Sequence, residues 1–258
     1  MDQQAVKTSI DGGVAVITLN DPATLNAASD RLMAGFSEAA ERFARPDSGA
    51  RCLILTGEGR GFCSGAHLGG GVGMANVGER LRTIHHPLLT LLRNYPVPVI
   101  TAVNGVAAGI GCSYALMGDI VVAAESAYFM QAFRRVGLSP DGGSSYLLSR
   151  LAGKARAMEL ALLGQRLPAK TALEWGVINR CVPDDQLMAT ALDLAKNLAE
   201  GPKSLAFIRK LIWDGLDSDW DAALEAEAQM QEASAATEDC AEGIAAFVEK
   251  RPAVFGGR

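Results

Sequence analysis

Two short apolar runs rich in β-branched residues, VAVITL (Val14–Leu19) and CLILTG (Cys52–Gly57), constrain this chain more than any other feature. Turn residues bound both, and their near-continuous apolar character is what strands buried on two faces require. Between them, ASDRLMAGFSEAAERFA (28–44) has apolar residues at helical spacing, which completes a strand, helix, strand unit. The order repeats as a helical stretch to about Asn94, then VPVITAVNG (97–105), the small-residue run AAGIGCSYALMGD (107–119) and IVVAAES (120–126). Such alternation predicts an α/β fold with largely parallel strands.

From Pro183 onward the strand pattern stops. DQLMATALDLAKNLAEG, PKSLAFIRKLIWDGL, WDAALEAEAQMQEASAA and DCAEGIAAFVEK follow as amphipathic helices punctuated by Gly, Pro and Asp. This tail is too small to be an enzyme domain of its own, so its apolar faces are expected to cover the core, a neighbouring subunit, or both. No low-complexity linker separates it from the body, and no repeat of solenoid type is present.

With 258 residues, 49% of them hydrophobic and 21% charged, the chain can bury a large core and is not disordered in bulk. A formal charge of −5 argues against nucleic acid as a partner, while leaving room for a local basic patch. Five widely spaced cysteines without a C-x-x-C pair suggest neither a disulfide framework nor a zinc site, and suit reduced thiols in a cytoplasm. The N-terminus lacks the pattern of a signal peptide, and no apolar run approaches the roughly 20 residues of a bilayer span, so no membrane partner is expected.

Two strand-to-helix junctions are rich in glycine: GRGFCSGAHLGGGVG (Gly59–Gly73) and NGVAAGIGCSYAL (Asn104–Leu116). Both read as tight, closely packed loops. Together they can also aim two backbone amides at one oxygen, the arrangement of an oxyanion hole. The stretch GGGVGMANVG is a poor dinucleotide fingerprint, and neither a P-loop nor a G-x-S-x-G elbow occurs. In GLSPDGGSSYLL (137–148), Asp141 stands between a proline and two glycines ahead of an apolar run. That position suits a helix cap, and equally a lone carboxylate used for chemistry.

Taken in order, GRGFCSGAHL, PVPVITAVNGVAAGIGCSYALMGDIVVAAESAYF, GLSPDGGSSYLLSRLAGKARAMELALLGQRLPAKTALEWGVINRCV and AFVEKRPAVFGG resemble the crotonase superfamily, the enoyl-CoA hydratases and isomerases, over nearly the whole chain. The resemblance implies an α/β spiral of ββα units, with a core over residues 1–195 and a helical oligomerisation region over 196–258. It further implies a homotrimer or a dimer of trimers. The ligand would be an acyl-CoA thioester, with coenzyme A part of the substrate and no bound cofactor or metal.

Residue by residue, the resemblance places the oxyanion amides at Ala66 and Ile110, with isoleucine where glycine is usual and His67 where aspartate is common. The two hydratase glutamate positions fall on Ser113 and Phe133, neither of which can activate water as a carboxylate does. Asp141 matches the catalytic aspartate of some isomerases, and the segment around it looks most like the acyl-CoA isomerases of phenylacetate breakdown, which lack both glutamates. The expected activity is a double-bond shift, or isomerisation of a ring-derived acyl-CoA, by proton transfer through a thioester enolate. Alternatives are an enoyl-CoA hydratase, an Asp-nucleophile aryl-CoA hydrolase or dehalogenase, and a catalytically silent acyl-CoA binder.

His85 and His86 lack metal spacing and read as a packed or solvated pair. An ungapped count places His86 at the water-activating histidine of the dehalogenases, which carry tryptophan where Phe133 stands. His67, His86, Ser113 and Phe133 are thus expected to line the pocket. Arg134, Arg135, Lys154, Arg156, Lys250 and Arg251 are either phosphate contacts or solvated charges. Trp175 and Trp213 read as core or interface aromatics.

Overall fold

The computed structural model describes residues 4–67 and 76–258. Strands β1 (Val6–Asp11), β2 (Val14–Leu19), β3 (Cys52–Gly57), β5 (Val99–Val103), β7 (Ile120–Ala124) and β10 (Arg180–Val182) form one sheet in the order β1-β2-β3-β5-β7-β10. Only the β1-β2 hairpin is antiparallel; the remaining pairs are parallel. A second sheet, β4-β6-β8-β9, is built from β4 (Gly61–Cys63), β6 (Val106–Ala108), β8 (Tyr128–Met130) and β9 (Arg166–Pro168). The pairs β3/β4, β5/β6 and β7/β8 each send one strand to each sheet before a helical segment follows, which is the expected spiral of ββα units. The second-sheet strands have three residues each, too few to carry a period-2 pattern, so strand spacing alone did not reveal them.

Every residue of β3 and β5 is buried, so both faces of the sheet's centre are covered. Helix α1 (Asp30–Ala44) packs on β1 and β2. Ser29 caps α1, its hydroxyl accepting from the Leu32 N–H. The next helical segment joins α2 (Val77–Arg80), a π-turn over Leu81–His85, and α3 (His86–Arg93), which packs on α1. Helix α4 (Ile110–Ala115) is entirely buried. After it come α5 (Ser144–Leu151), α6 (Gly153–Leu163) and α7 (Ala169–Glu174).

The C-terminal helices are α8 (Leu187–Ala199), α9 (Ser204–Gly215), α10 (Trp220–Ala235) and α11 (Glu238–Glu249). Helix α8 lies across β2, β3, β5 and β7, and it runs unbroken through residue 195. A buried polar cluster joins α9 to the body. Arg209 is buried, donates to the carbonyls of Leu92, Arg93 and Tyr95, and pairs with Asp119 at 2.7 Å. Trp213, one turn on, donates its indole N–H to the same carboxylate. No helix among the described residues is long and apolar enough to cross a membrane.

Candidate active site

The two glycine-rich junctions meet. Ala28 donates its N–H to the Gly65 carbonyl at 2.8 Å and forms an isolated bridge with Ala66, fastening this turn to the lead-in of α1. A Cβ on Gly65 would stand 2.8 Å from the Ala108 carbonyl oxygen, so only glycine lets the turn approach the end of β6 this closely. Two residues beyond that carbonyl, Ile110 opens α4. As the first residue of the helix it has no carbonyl one turn back to accept from its N–H. The Phe133 ring lies 3.9 Å from where a Cβ on Gly109 would stand, which sets an apolar wall beside Ile110.

The turn carrying Asp141 closes on the same helix. A Cβ on Gly142 would fall 2.9 Å from both Ile110 Cγ1 and Ser113 Oγ. The main chain of Asp141 is held by three donors to its carbonyl: the Ser113 hydroxyl at 3.3 Å, the Ser144 hydroxyl at 2.8 Å and the Ser144 N–H at 3.1 Å. Its carboxyl is treated differently. Oδ1 is buried and makes no hydrogen bond with the described residues. Burial alone pushes the pKa of Asp141 from 3.8 up to about 6, with no neighbouring charge contributing.

The cap role suggested by the sequence is therefore not what the carboxyl does. The residue preceding α5 is Gly143, and no side chain caps that helix. Gly142 and Gly143 both have positive φ, 60° and 79°, and carry the chain round so that the carbonyl of Asp141, rather than its carboxyl, meets the Ser144 N–H.

The structure thus gathers Ala66, Ile110, Ser113, Phe133 and Asp141 around the start of α4. His67 follows Ala66 and is half-buried. The run Gly69–Gly73, named above as part of the first junction, lies outside the described residues. The two adjacent histidines are not a pair. His86 is exposed and lines a cleft of about 270 Å³ with Gly142, Gly143 and Tyr146. His85 points into the core, where its Nδ1 is 2.8 Å from the Tyr114 hydroxyl, a contact the sequence reading missed. The available signal was Pro87, which cannot continue an α-helical hydrogen-bond ladder and breaks the register at this point. Of the basic residues, Arg134 and Arg135 donate to carbonyls at the end of α6, and Arg251 pairs with Glu242 and Glu249.

This fold and this site define a class, and the comparisons agree with it. The enoyl-CoA hydratase/isomerase family profile matches residues 9–258. The chain belongs to that family, within the crotonase superfamily. It is 42% identical to the 1,2-epoxyphenylacetyl-CoA isomerase of Escherichia coli K12, over 98% of each chain. It is 41% identical to a probable enoyl-CoA hydratase of Rhodobacter capsulatus, over the full length of both. Among solved structures, a putative enoyl-CoA hydratase from Streptomyces coelicolor superposes with a TM-score of 0.92 at 36% identity, covering 100% of this chain and 96% of that one.

Proposed function

We propose that this protein is an acyl-CoA isomerase that moves a proton through a thioester enolate, with coenzyme A entering as part of the substrate and no resident cofactor. The Ala66 and Ile110 amides hold the thioester oxygen as it gains charge, and Asp141 takes the proton and returns it at another carbon. The observation that carries this reading is the buried, unpaired Oδ1 of Asp141, on the turn whose next residue, Gly142, packs against Ile110. A carboxyl raised to about 6 by desolvation is a stronger base than an exposed aspartate, yet still ionised at pH 7. Water addition by two carboxylates is disfavoured on the same grounds. Ser113 spends its hydroxyl on a backbone carbonyl, Phe133 has no proton to exchange, and no second acid perturbs Asp141. The relative named as an epoxyphenylacetyl-CoA isomerase makes ring-derived acyl groups the first substrates to try.

The deciding experiment incubates the protein with enoyl-CoA substrates in deuterated buffer. Exchange of α- or γ-protons is expected to run far faster than water adds to crotonyl-CoA. Efficient hydration without independent exchange would overturn the isomerase reading, and silence on both would favour an acyl-CoA binder.

The exposed apolar residues of the tail, among them Ile212, Trp220, Phe247 and Val248, support self-association as a trimer or a dimer of trimers.

A further inference from the structure

Beside the proposed amide site lies a polar pair that proton transfer does not use. His85 is 7% exposed and Tyr114 is 1% exposed, and they share one hydrogen bond. Burial pulls the imidazole down to about 4, Arg80 and His86 add to that effect, and Asp30 opposes it. Burial, with smaller contributions from Cys63 and Asp141, pushes the phenol up. Both groups are therefore neutral at ordinary pH. Two apolar side chains of equal volume would fill this space without leaving polar groups to satisfy. What the hydrogen bond adds is direction.

The local geometry shows what is being directed. Pro87 lacks an N–H, and the helix before it widens to a π-turn in which the His86 N–H reaches back to the Leu81 carbonyl. The turn ends on His85, facing Tyr114 of α4. The Tyr114 ring also packs edge-on against Phe36 of α1, with centroids 5.4 Å apart at 67°. Helix α1 is tied through Ala28 to the Gly65–Ala66 turn, and α4 begins with Ile110. Tyr114 lies four residues, about one helical turn, after Ile110. It also directly follows Ser113, which holds the Asp141 carbonyl. A rotation of this short helix would therefore move the Ile110 amide and the seat of the Asp141 turn together.

Resting on the isomerase reading, we infer that His85 and Tyr114 are positioning residues: their hydrogen bond fixes the rotation of α4 and so aims the Ile110 N–H and seats the Asp141 turn. Misplacing a reacting group by about 1 Å can cost roughly 100-fold in rate, so a lost bond acts on turnover more than on substrate capture.

The test uses Tyr114→Phe, which keeps the ring against Phe36, and His85→Leu and His85→Asn. The Oδ1 of asparagine takes the place of the imidazole Nδ1. In the unmodified protein the ¹³C=O stretch of a bound enoyl-CoA should move to lower frequency as the amides polarise it. Tyr114→Phe and His85→Leu should each reduce that shift and lower kcat by about 10- to 100-fold with KM nearly unchanged, and His85→Asn should restore most of both. Combining Tyr114→Phe with His85→Leu should cost little more than either alone, because both remove one bond. If Tyr114→Phe does not fold, the contrast between His85→Asn and His85→Leu gives the same reading. A carbonyl shift and kcat unchanged in the folded variants, with only thermal stability lowered, would overturn the inference and leave the isomerase reading intact. No carbonyl shift in the unmodified protein would instead remove the amide site and this inference with it.

Discussion

Asp141→Asn should make the protein more stable and nearly inactive, and the two effects have one cause. Asparagine matches aspartate in shape and leaves the three donors to the residue 141 carbonyl untouched. It removes only the ionisation. A carboxyl raised from 3.8 to about 6 favours its neutral form in the folded state by roughly 3 kcal/mol. Asp141 is only half-buried, so solvent screening reduces this to about 1–2 kcal/mol. The sign follows from where the proton sits. Below about pH 4 the group is protonated in both states and the unmodified protein carries no penalty; as pH rises from about 4 to 6 the unfolded chain ionises while the folded carboxyl stays protonated, and stability is lost until the folded carboxyl ionises as well. The variant should therefore match the unmodified protein near pH 4 and exceed it by about 1–2 kcal/mol at pH 7.5, or roughly 2–8 °C in Tm. Urea unfolding at pH 4, 5, 6 and 7.5 measures this, and exchange or isomerisation rates on the same samples should fall by about 10²- to 10⁴-fold. In the unmodified protein kcat/KM should drop as pH falls through about 6. A stability difference independent of pH, or near-normal turnover in the variant, would refute the assignment of Asp141 as a desolvated base.

Three further outcomes are expected. Gly142→Ala places a Cβ 2.9 Å from Ile110 Cγ1 and Ser113 Oγ at a φ of +60°; it should cost about 1–3 kcal/mol in unfolding titrations and a larger share of activity, because the displaced turn carries Asp141. Arg209→Met removes the cation from Asp119, which keeps the Trp213 and Val99 N–H donors, and takes a donor from three backbone carbonyls; it should lower stability by about 2–4 kcal/mol, read by thermal melting. Truncation after Pro183 removes α8 from the face of β2, β3, β5 and β7, and light scattering should show aggregates; a soluble, thioester-binding monomer would mean that the tail is not integral to the core.

Four strands of the large sheet, β2, β3, β5 and β7, were legible because they are long enough to bury near-continuous apolar runs, whereas three-residue β10 and mostly exposed β1 were not. Val14–Leu19 and Cys52–Gly57 are both strands at those bounds. The tail was equally plain, each of its four helices being long enough to show periodicity. What spacing could not show was the second sheet, whose three-residue strands depend on neighbours far along the chain. Site residues divide in the same way. Gly65 and Gly142 announce close approach by being glycine, but what they approach is set by tertiary contacts with Ala108, Ile110 and Ser113. Asp141 looked like a cap because its sequence neighbourhood is that of a cap; only the positive φ of the two following glycines turns its carboxyl away from that role. The direction of its pKa shift was equally hidden, since it depends on burial that the order of residues does not encode.

A site with one such carboxyl has an electrostatic advantage for moving protons that a site with two would lose. In the proposed step ionised Asp141 would take a proton from the thioester and the negative charge would pass to the enolate oxygen, so the pocket would hold a single negative charge before and after. Desolvation favours the neutral acid that forms on Asp141, while the proposed Ala66 and Ile110 amides favour the anion that forms on the oxygen. Both effects act in the same direction, toward the enolate. Ser113, 0% exposed, and Phe133, 7% exposed, bring no charge of their own to the proposed site. A second carboxylate at either position would add a charge during the very step in which charge must be spread. It would also push the pKa of Asp141 higher still, leaving less ionised base at pH 7. On this argument the residues at 113 and 133 are suited to proton relocation for the same reason that they are unsuited to activating water.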